Sequence, residues 1–385
     1  MSEEKLVPKL RFIEETWSSE KLGNLCKITM GQSPSSKNYS KNSNDTILIQ
    51  GNADLISGKI VPRIYTSEIT KLSYPGDIIL TVRAPVGDLA INEFDSCIGR
   101  GVCSIKGNKF IYYYLESLKD KHVWERLSQG STFESVNSND IKNLNLKIPS
   151  NSTQNHIINF FTAIDTKIEL LQKKHGEYIR FKQYLMQNIF ADKSAEKLRF
   201  NFTDDWKQYK LKDVLTVKSS SISINQLEEN TGDYPLYGAS GFLKNIDFCE
   251  MDVDYISIVK DGSGVGNLSF HEKNSSIVNT SQYLLPKKNF NINFLYYLLQ
   301  TINLMKYVNG SSIPHIYFKD YCIEKINIPS LDEQEKIGKL FVDVDITMEN
   351  LNKNINATQE FKKGLLQQMF VVQLILSLLQ NKKHI

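Results

Sequence analysis

The sequence predicts an α/β (α+β) protein. It places two globules with twisted sheets beside two long helices that form an antiparallel intramolecular coiled coil with pseudo-two-fold symmetry. Three observations predict this. First, the chain is written twice. Lys9-Leu10-Arg11-Phe12, Trp17 and Lys21-Leu22 return as Lys197-Leu198-Arg199-Phe200, Trp206 and Lys210-Leu211, at offsets of 188 and then 189 residues. Ile148-Pro149-Ser150 returns as Ile328-Pro329-Ser330, an offset of 180 that holds for Gln154/Gln334, Phe161/Phe341, Asp165/Asp345, Lys182/Lys362 and Phe190/Phe370. A repeat this long is a duplicated module, not a short solenoid unit. Second, short β-branched and aromatic runs bounded by turn residues fill the first part of each copy. Third, a 3.5-residue apolar period fills the second part.

The elements follow in order. Residues 1–149 form the first globule, with strand-like runs at Asp77-Ile78-Ile79-Leu80-Thr81-Val82 and Gly101-Val102-Cys103-Ser104-Ile105 and a helix around Tyr112–Ser128. Residues 150–191 form the central helix. Its seam is Ile157, Phe161, Ile164, Ile168, Leu171, Tyr178, Leu185 and Ile189, with His175 and Lys182 in the remaining slots. Residues 192–329 form the second globule, with a strand at Tyr255-Ile256-Ser257-Ile258-Val259 and a helix around Phe294–Val308. Residues 330–372 form the second long helix, with seam positions Ile337, Phe341, Val344, Met348, Leu351, Ile355, Leu365 and Met369, and Thr358 and Lys362 between them. Proline bars continuation from upstream into either helix. Ser330-Leu331-Asp332-Glu333 fits a capping box. Such seam-only spacing is narrower than the stripe of a helix packed on a globule, so the two helices are expected to pair with each other. Residues 373–385 form a non-repeated tail.

Composition narrows the function classes. Hydrophobic content of 41% and charged content of 23% are ordinary for a globular protein, and a net charge of +3 neither demands nor excludes nucleic acid. Five scattered cysteines without a CxxC pair argue for a reducing cytoplasm and against a zinc ribbon. The start of the chain lacks the apolar core of a signal peptide. Its longest apolar run, Val371–Leu379, is far shorter than the roughly 20 residues that span a bilayer, so no membrane is expected. No GxxxxGK[ST] loop or HExxH helix is present. Gly262-Ser263-Gly264-Val265-Gly266 lacks dinucleotide spacing and reads as a tight loop. The six histidines are isolated, and His271 reads as a surface residue. Asp165-Thr166-Lys167 and Glu360-Phe361-Lys362 lie on the seam helices, not on neighbouring strands as a metal-dependent nuclease needs. No catalytic or metal-binding residue is assigned.

Residues suited to DNA cluster in the globules. Gln32, Ser33, Ser35, Ser36, Lys37, Asn38 and Tyr39 form a polar, basic and aromatic loop whose side chains suit base edges and whose N–H groups suit phosphates. A solvated surface loop is the other reading. Arg83 and Arg100 border strand-like runs, free for a guanine or paired with Asp77 or Asp88. In the second copy Lys260, Ser263, Ser281 and Gln282 occupy comparable places. Ser131 and Ser311 lie in Gly-Ser pairs that stand 18 residues before each Ile-Pro-Ser, as turns or phosphate clamps.

With the duplication, the Ile-Pro-Ser junctions and the Gly31-Gln32-Ser33-Pro34-Ser35 loop, the chain resembles a specificity subunit of a type I restriction–modification enzyme. The resemblance covers Lys9 to Phe370 and departs at the tail. It implies that each globule is a target-recognition domain reading one half of a bipartite site in double-stranded DNA. It implies that the helices set the spacing and dock two methyltransferase subunits, joined by restriction (translocase/nuclease) subunits. S-adenosylmethionine, ATP and Mg would then belong to those partners, with no cofactor in this chain. A standalone nuclease or methyltransferase and a coiled-coil scaffold without DNA are the alternatives.

Overall fold

The computed structural model describes residues 15–119, 123–128, 135–190, 198–227, 229–310 and 312–370. The repeated Lys-Leu-Arg start at residues 9–11, most of the segment before Leu198, Ser131, Ser311 and the tail after Phe370 lie outside them. The chain divides into two compact units, Met1–Leu171 with Asn354–Ile385, and Gln172–Lys353. Each unit therefore holds one globule, the first half of the long helix that follows it, and the last half of the other long helix.

In chain order the first globule carries β1 (Ser18–Lys21), β2 (Lys27–Met30), β3 (Thr46–Ile49), β4 (Ile78–Thr81), β5 (Leu89–Ile91), β6 (Ser96–Ile98), β7 (Val102–Lys106), α1 (Lys109–Lys119), α2 (Val123–Ser128) and β8 (Asn145–Ile148). The first long helix is α3 (Asn151–Ile189). The second globule carries β9 (Lys207–Lys210), β10 (Leu215–Ser219), β11 (Tyr234–Gly238), β12 (Tyr255–Val259), β13 (Leu268–His271), β14 (Ser276–Ile277), β15 (Ser281–Pro286), α4 (Ile292–Gln300) and β16 (Lys325–Ile328). The second long helix is α5 (Leu331–Met369). Shorter strands and turns lie between these, and a six-residue strand, Gly241–Ile246, pairs antiparallel with β11.

In the first unit, β7 runs antiparallel between β2 and β4, with Cys103 opposite Met30 and Leu80. A second sheet pairs β3 with β6 in parallel. Ile78, Ile79 and Leu80 are all buried, because layers cover both faces of β4, as a continuous apolar run requires. Phe110, Tyr113, Tyr114 and Leu118 of α1 recur at helical spacing and are buried. Phe110 and Leu118 each contribute roughly 1.5–3 kcal/mol by leaving water. The helix expected over Tyr112–Ser128 is two, α1 and α2.

The second unit repeats this plan. β15 runs antiparallel between β10 and β12, with Gln282 opposite Ser219 and Ile258. β11 pairs with β14 in parallel. The helix expected over Phe294–Val308 is shorter. Asn291 caps α4 by accepting the Phe294 N–H at 3.0 Å, and Thr301 Oγ closes its last turn on the Leu298 carbonyl at 2.7 Å. A separate 3-10 turn follows at Leu304–Tyr307. His271 is a correction: it is buried in β13, its ring against Tyr255 and Tyr237, and its Nε2 lies 2.9 Å from Ser257 Oγ. Strand alternation turns that position inward.

Both long helices run 39 residues, about 58 Å at 1.5 Å per residue. Each begins one residue after its Ile-Pro-Ser. A repeated glutamine closes that junction: Gln154 Nε2 donates to the Pro149 carbonyl at 3.2 Å, and Gln334 Nε2 to the Pro329 carbonyl at 3.0 Å. Glu333, the expected capping-box partner, gives its buried carboxylate to Arg199 and the Trp206 indole.

Within each unit the helix halves pair antiparallel. In the first, Phe161 meets Phe370 at 6.3 Å and Asp165 meets Lys362 at 2.8 Å. In the second, Phe341 meets Phe190 at 5.7 Å and Asp345 meets Lys182 at 2.7 Å. The globule also packs on its own helix, with Tyr113 against Phe161 and Tyr297 against Phe341. Helix pairing and globule packing therefore coexist. Ile157, Phe161, Leu185, Ile337, Phe341, Val344 and Leu351 are buried, whereas Ile164, Ile168, Leu171 and Met348 are half-buried. The seam slips by one at the end of α5: Leu366 is buried and Leu365 only half-buried, because Leu366, Met369 and Phe370 enter the core of the first globule.

The seam lysines explain themselves. Lys362 Nζ lies 2.8 Å from both Glu116 and Asp165, and Tyr113 donates to Asp165 at 2.8 Å. Burial works against its charge, but Glu116 and Asp165 outweigh it and hold its pKa above the ordinary lysine value. Lys182 repeats the arrangement with Asp345, to which Tyr297 donates at 2.8 Å.

Candidate nucleic-acid interface

Three strand ends meet at one edge of the main sheet in the first unit. β2 ends, β7 begins and β4 ends there, which brings Gly31-Gln32-Ser33, Gly99-Arg100-Gly101 and Val82-Arg83 together. The Gly31 N–H donates to the Val102 carbonyl at 3.0 Å, and the Val82 N–H to the Gly101 carbonyl at 2.9 Å. Ser33 Oγ accepts the Arg100 N–H at 3.1 Å. Backbones approach too closely for side chains here. A Cβ on Gly31 would stand 2.1 Å from the Gly99 carbonyl oxygen, and one on Gly101 would stand 2.1 Å from that of Gln50.

Gln32, Arg83 and Arg100 are exposed at this edge. Neither arginine takes the salt-bridge alternative among the described residues: Asp77 accepts from Ser73, Tyr74 and Ser104, and Asp88 pairs with Lys119. Sequence reasoning did not single out Gln50, which follows β3 beside them. Its Nε2 donates to the Tyr39 hydroxyl at 2.7 Å, and buried Asp54 accepts its N–H at 2.8 Å. The rest of the predicted loop is partly committed. Glu68 accepts the Asn38 amide at 2.6 Å and the Ser35 N–H at 2.9 Å, and these bonds hold its carboxyl below the usual range. The Ser35 N–H is thus spent on an internal carboxylate. Ser33 is half-buried, while Ser35, Ser36 and Lys37 are exposed.

The same edge exists in the second unit with other side chains. β10 ends, β15 begins and β12 ends there. Lys260 donates its N–H to the Thr280 carbonyl at 2.8 Å, as Val82 does to Gly101. An isolated bridge joins Asp261 to His315, as Arg83 is joined to Ser135. Arg83 therefore matches Asp261, not Lys260, and Lys260 pairs with Asp261 at 3.1 Å. Ser281 is a correction: it is buried in β15 and offers no surface to DNA. Gln282 is half-buried, with its Nε2 spent on Ser219 at 3.1 Å. Ser263 is exposed in a loop whose three glycines have φ of +84°, +87° and +84°. Asn279 and Thr280, between β14 and β15, are exposed at the sheet end.

Among the described residues no group of three or more His, Cys, Asp or Glu could hold a metal ion, and no helix is long and apolar enough to cross a membrane. All five cysteines are free, and burial pushes the Cys103 thiol up to about 12.

Comparison with known proteins agrees with this duplicated architecture. The model of the type I restriction modification DNA specificity domain matches residues 14–177 and 203–359, once in each copy. Over 195 residues the chain is 36% identical to a putative type I restriction enzyme MjaX specificity subunit of Methanocaldococcus jannaschii, covering 48% of this chain and 45% of that protein. Over 281 residues it is 24% identical to a putative type I specificity subunit of Mycoplasma genitalium, covering 68% of this chain and 70% of that protein. The crystal structure of a type I restriction–modification S subunit from M. genitalium superposes with a TM-score of 0.67 at 20% identity, covering 95% of this chain and 99% of that one, which shows the shared fold. Matched in both of its copies and over most of its length, the chain belongs to the type I restriction–modification DNA specificity family.

Proposed function

We propose that this chain is the DNA-reading subunit of a type I restriction–modification complex. Each globule reads one half of a bipartite site. One observation supports this most: both units build the same sheet edge from the same backbone bonds and place different polar side chains on it. A shared frame with divergent tips is what two independent half-site readers need. Gln32, Arg83 and Arg100 have the reach and chemistry for base edges, and Lys37 has the charge for phosphates.

The chain itself is non-catalytic in this reading. Two methyltransferase subunits dock on the long helices and carry S-adenosylmethionine. Restriction subunits bring ATP- and Mg-dependent translocation and cleavage. The long helices fix the gap between the half-sites. The test is to express the chain with its methyltransferase partner and map methylated bases genome-wide. The expected pattern is one bipartite sequence with an unspecified gap of constant length. Methylation by the purified chain alone would support the standalone enzyme. Absence of salt-sensitive, sequence-selective DNA binding in the presence of the methyltransferase partner would support the scaffold.

A further inference from the structure

The backbone bonds at the two sheet edges put the units in residue-by-residue register. The Val102 N–H donates to the Gly99 carbonyl at 3.1 Å, and the Ser281 N–H to the Val278 carbonyl at 3.0 Å. The Gly99 N–H donates to the Ile49 carbonyl at 2.8 Å, and the Val278 N–H to the Tyr237 carbonyl at 3.0 Å. The Gly87 N–H donates to the Thr81 carbonyl at 3.1 Å, and the Gly266 N–H to the Val259 carbonyl at 2.8 Å. With the Val82/Lys260 pair these bonds fix one correspondence. Gln50 matches Gly238, Arg83 matches Asp261, and Arg100 matches Asn279. No repeat in the sequence marks these pairs.

Arg100 and Asn279 stand out. Each is the middle residue of a tight turn between two strands, and each is exposed. Each has its own N–H held, by Ser33 Oγ at 3.1 Å or by the Ile222 carbonyl at 2.8 Å. Among the described residues, neither side chain is tied by a hydrogen bond or ion pair. Their backbones are held in the turn, and among the described residues their side chains are left for a base edge, at the cost of ordering an exposed side chain on binding.

We infer that Arg100 and Asn279 are the equivalent base-reading residues of the two globules, Arg100 taking a guanine and Asn279 an adenine in the major groove. Guanidinium forks donate twice to guanine O6 and N7, and a carboxamide pairs with adenine N6 and N7. This rests on the DNA-reading function proposed above and adds the base and the residue for one position in each half-site.

The experiment is methylation mapping in cells expressing the full chain with its methyltransferase partner. For Arg100→Ala, one guanine position in one half-site should lose about 5- to 150-fold discrimination, with the other half and the gap unchanged. For Asn279→Ala, one adenine position in the opposite half should relax likewise. Arg100→Gln should turn the guanine position towards adenine. If Arg100→Ala leaves no methylation, Arg100→Gln decides, because it keeps a hydrogen-bonding side chain and exchanges the guanine-reading fork for a carboxamide. A relaxed position then supports the inference, and an unchanged site overturns it. Alanine variants that keep the wild-type discrimination at every position of both half-sites overturn the inference while leaving the DNA-reading function standing. Loss of any bipartite pattern in the wild type overturns both.

Discussion

Ser281 and Asn279 are two residues apart, yet only Asn279 reaches solvent. The sequence places both in one polar run, Asn279-Thr280-Ser281-Gln282. It does not say that the strand begins at Ser281 and leaves Asn279 in the turn. The matching of Arg83 with Asp261 was hidden for the same reason, because the bonds that define it join residues far apart in the chain. The placement of Arg83 and Arg100 at strand ends was legible, because each borders an apolar β-branched run in the sequence. Ser281→Ala should leave the methylated sequence unchanged, and a changed half-site in that variant would contradict its burial. His271 carries a separate prediction. Burial lowers its imidazole from 6.5 to about 4. The unfolded chain therefore binds more protons than the folded one between those values, and stability falls as pH drops through that window. The loss should total about 3 kcal/mol, on the order set by such a shift. Urea unfolding between pH 7 and pH 4 should show it, and His271→Gln should flatten the slope. An equally steep slope in the variant would assign the effect elsewhere.

The long helices were the most legible elements, since their period persists over more than four heptads and their starts are marked by proline. What the period does not show is that the lysines interrupting it are partnered. Lys182 and Lys362 sit in apolar seams because an aspartate of the facing helix and a tyrosine of the globule meet them there. Asp345→Ala removes the acceptor of both Lys182 and Tyr297. The expected cost is about 1–2 kcal/mol, reduced from a buried charged bond because the pair is partly exposed. Asp343→Ala removes only the exposed pair with Lys339 and should cost less than about 0.5 kcal/mol. Thermal melts of the two variants compare them directly, and equal costs would deny the seam pair its role. Leu171→Asp places a charge in the half-buried middle of the seam and should impair assembly with methyltransferase subunits. Wild-type stability and complex formation would count against the paired helices.

For the whole molecule, duplication was legible and sheet order was not. Strand pairing depends on closing loops of tens of residues, which no local pattern records. If the helices set the gap between half-sites, seven residues added after Leu171 and seven after Leu351 should preserve the seam. Such a heptad adds about 10 Å of helix, or roughly three base pairs. Methylated sites should then keep both half-sequences with a wider gap, and an unchanged gap would place spacing control in the globules. The central claim is that two globules read two half-sites independently. It is tested most directly by replacing residues 17–149 with the corresponding region of another specificity subunit and mapping methylation in cells that also express the methyltransferase. The account predicts that one half of the recognised sequence changes while the other half stays as it was. A change in both halves would contradict it.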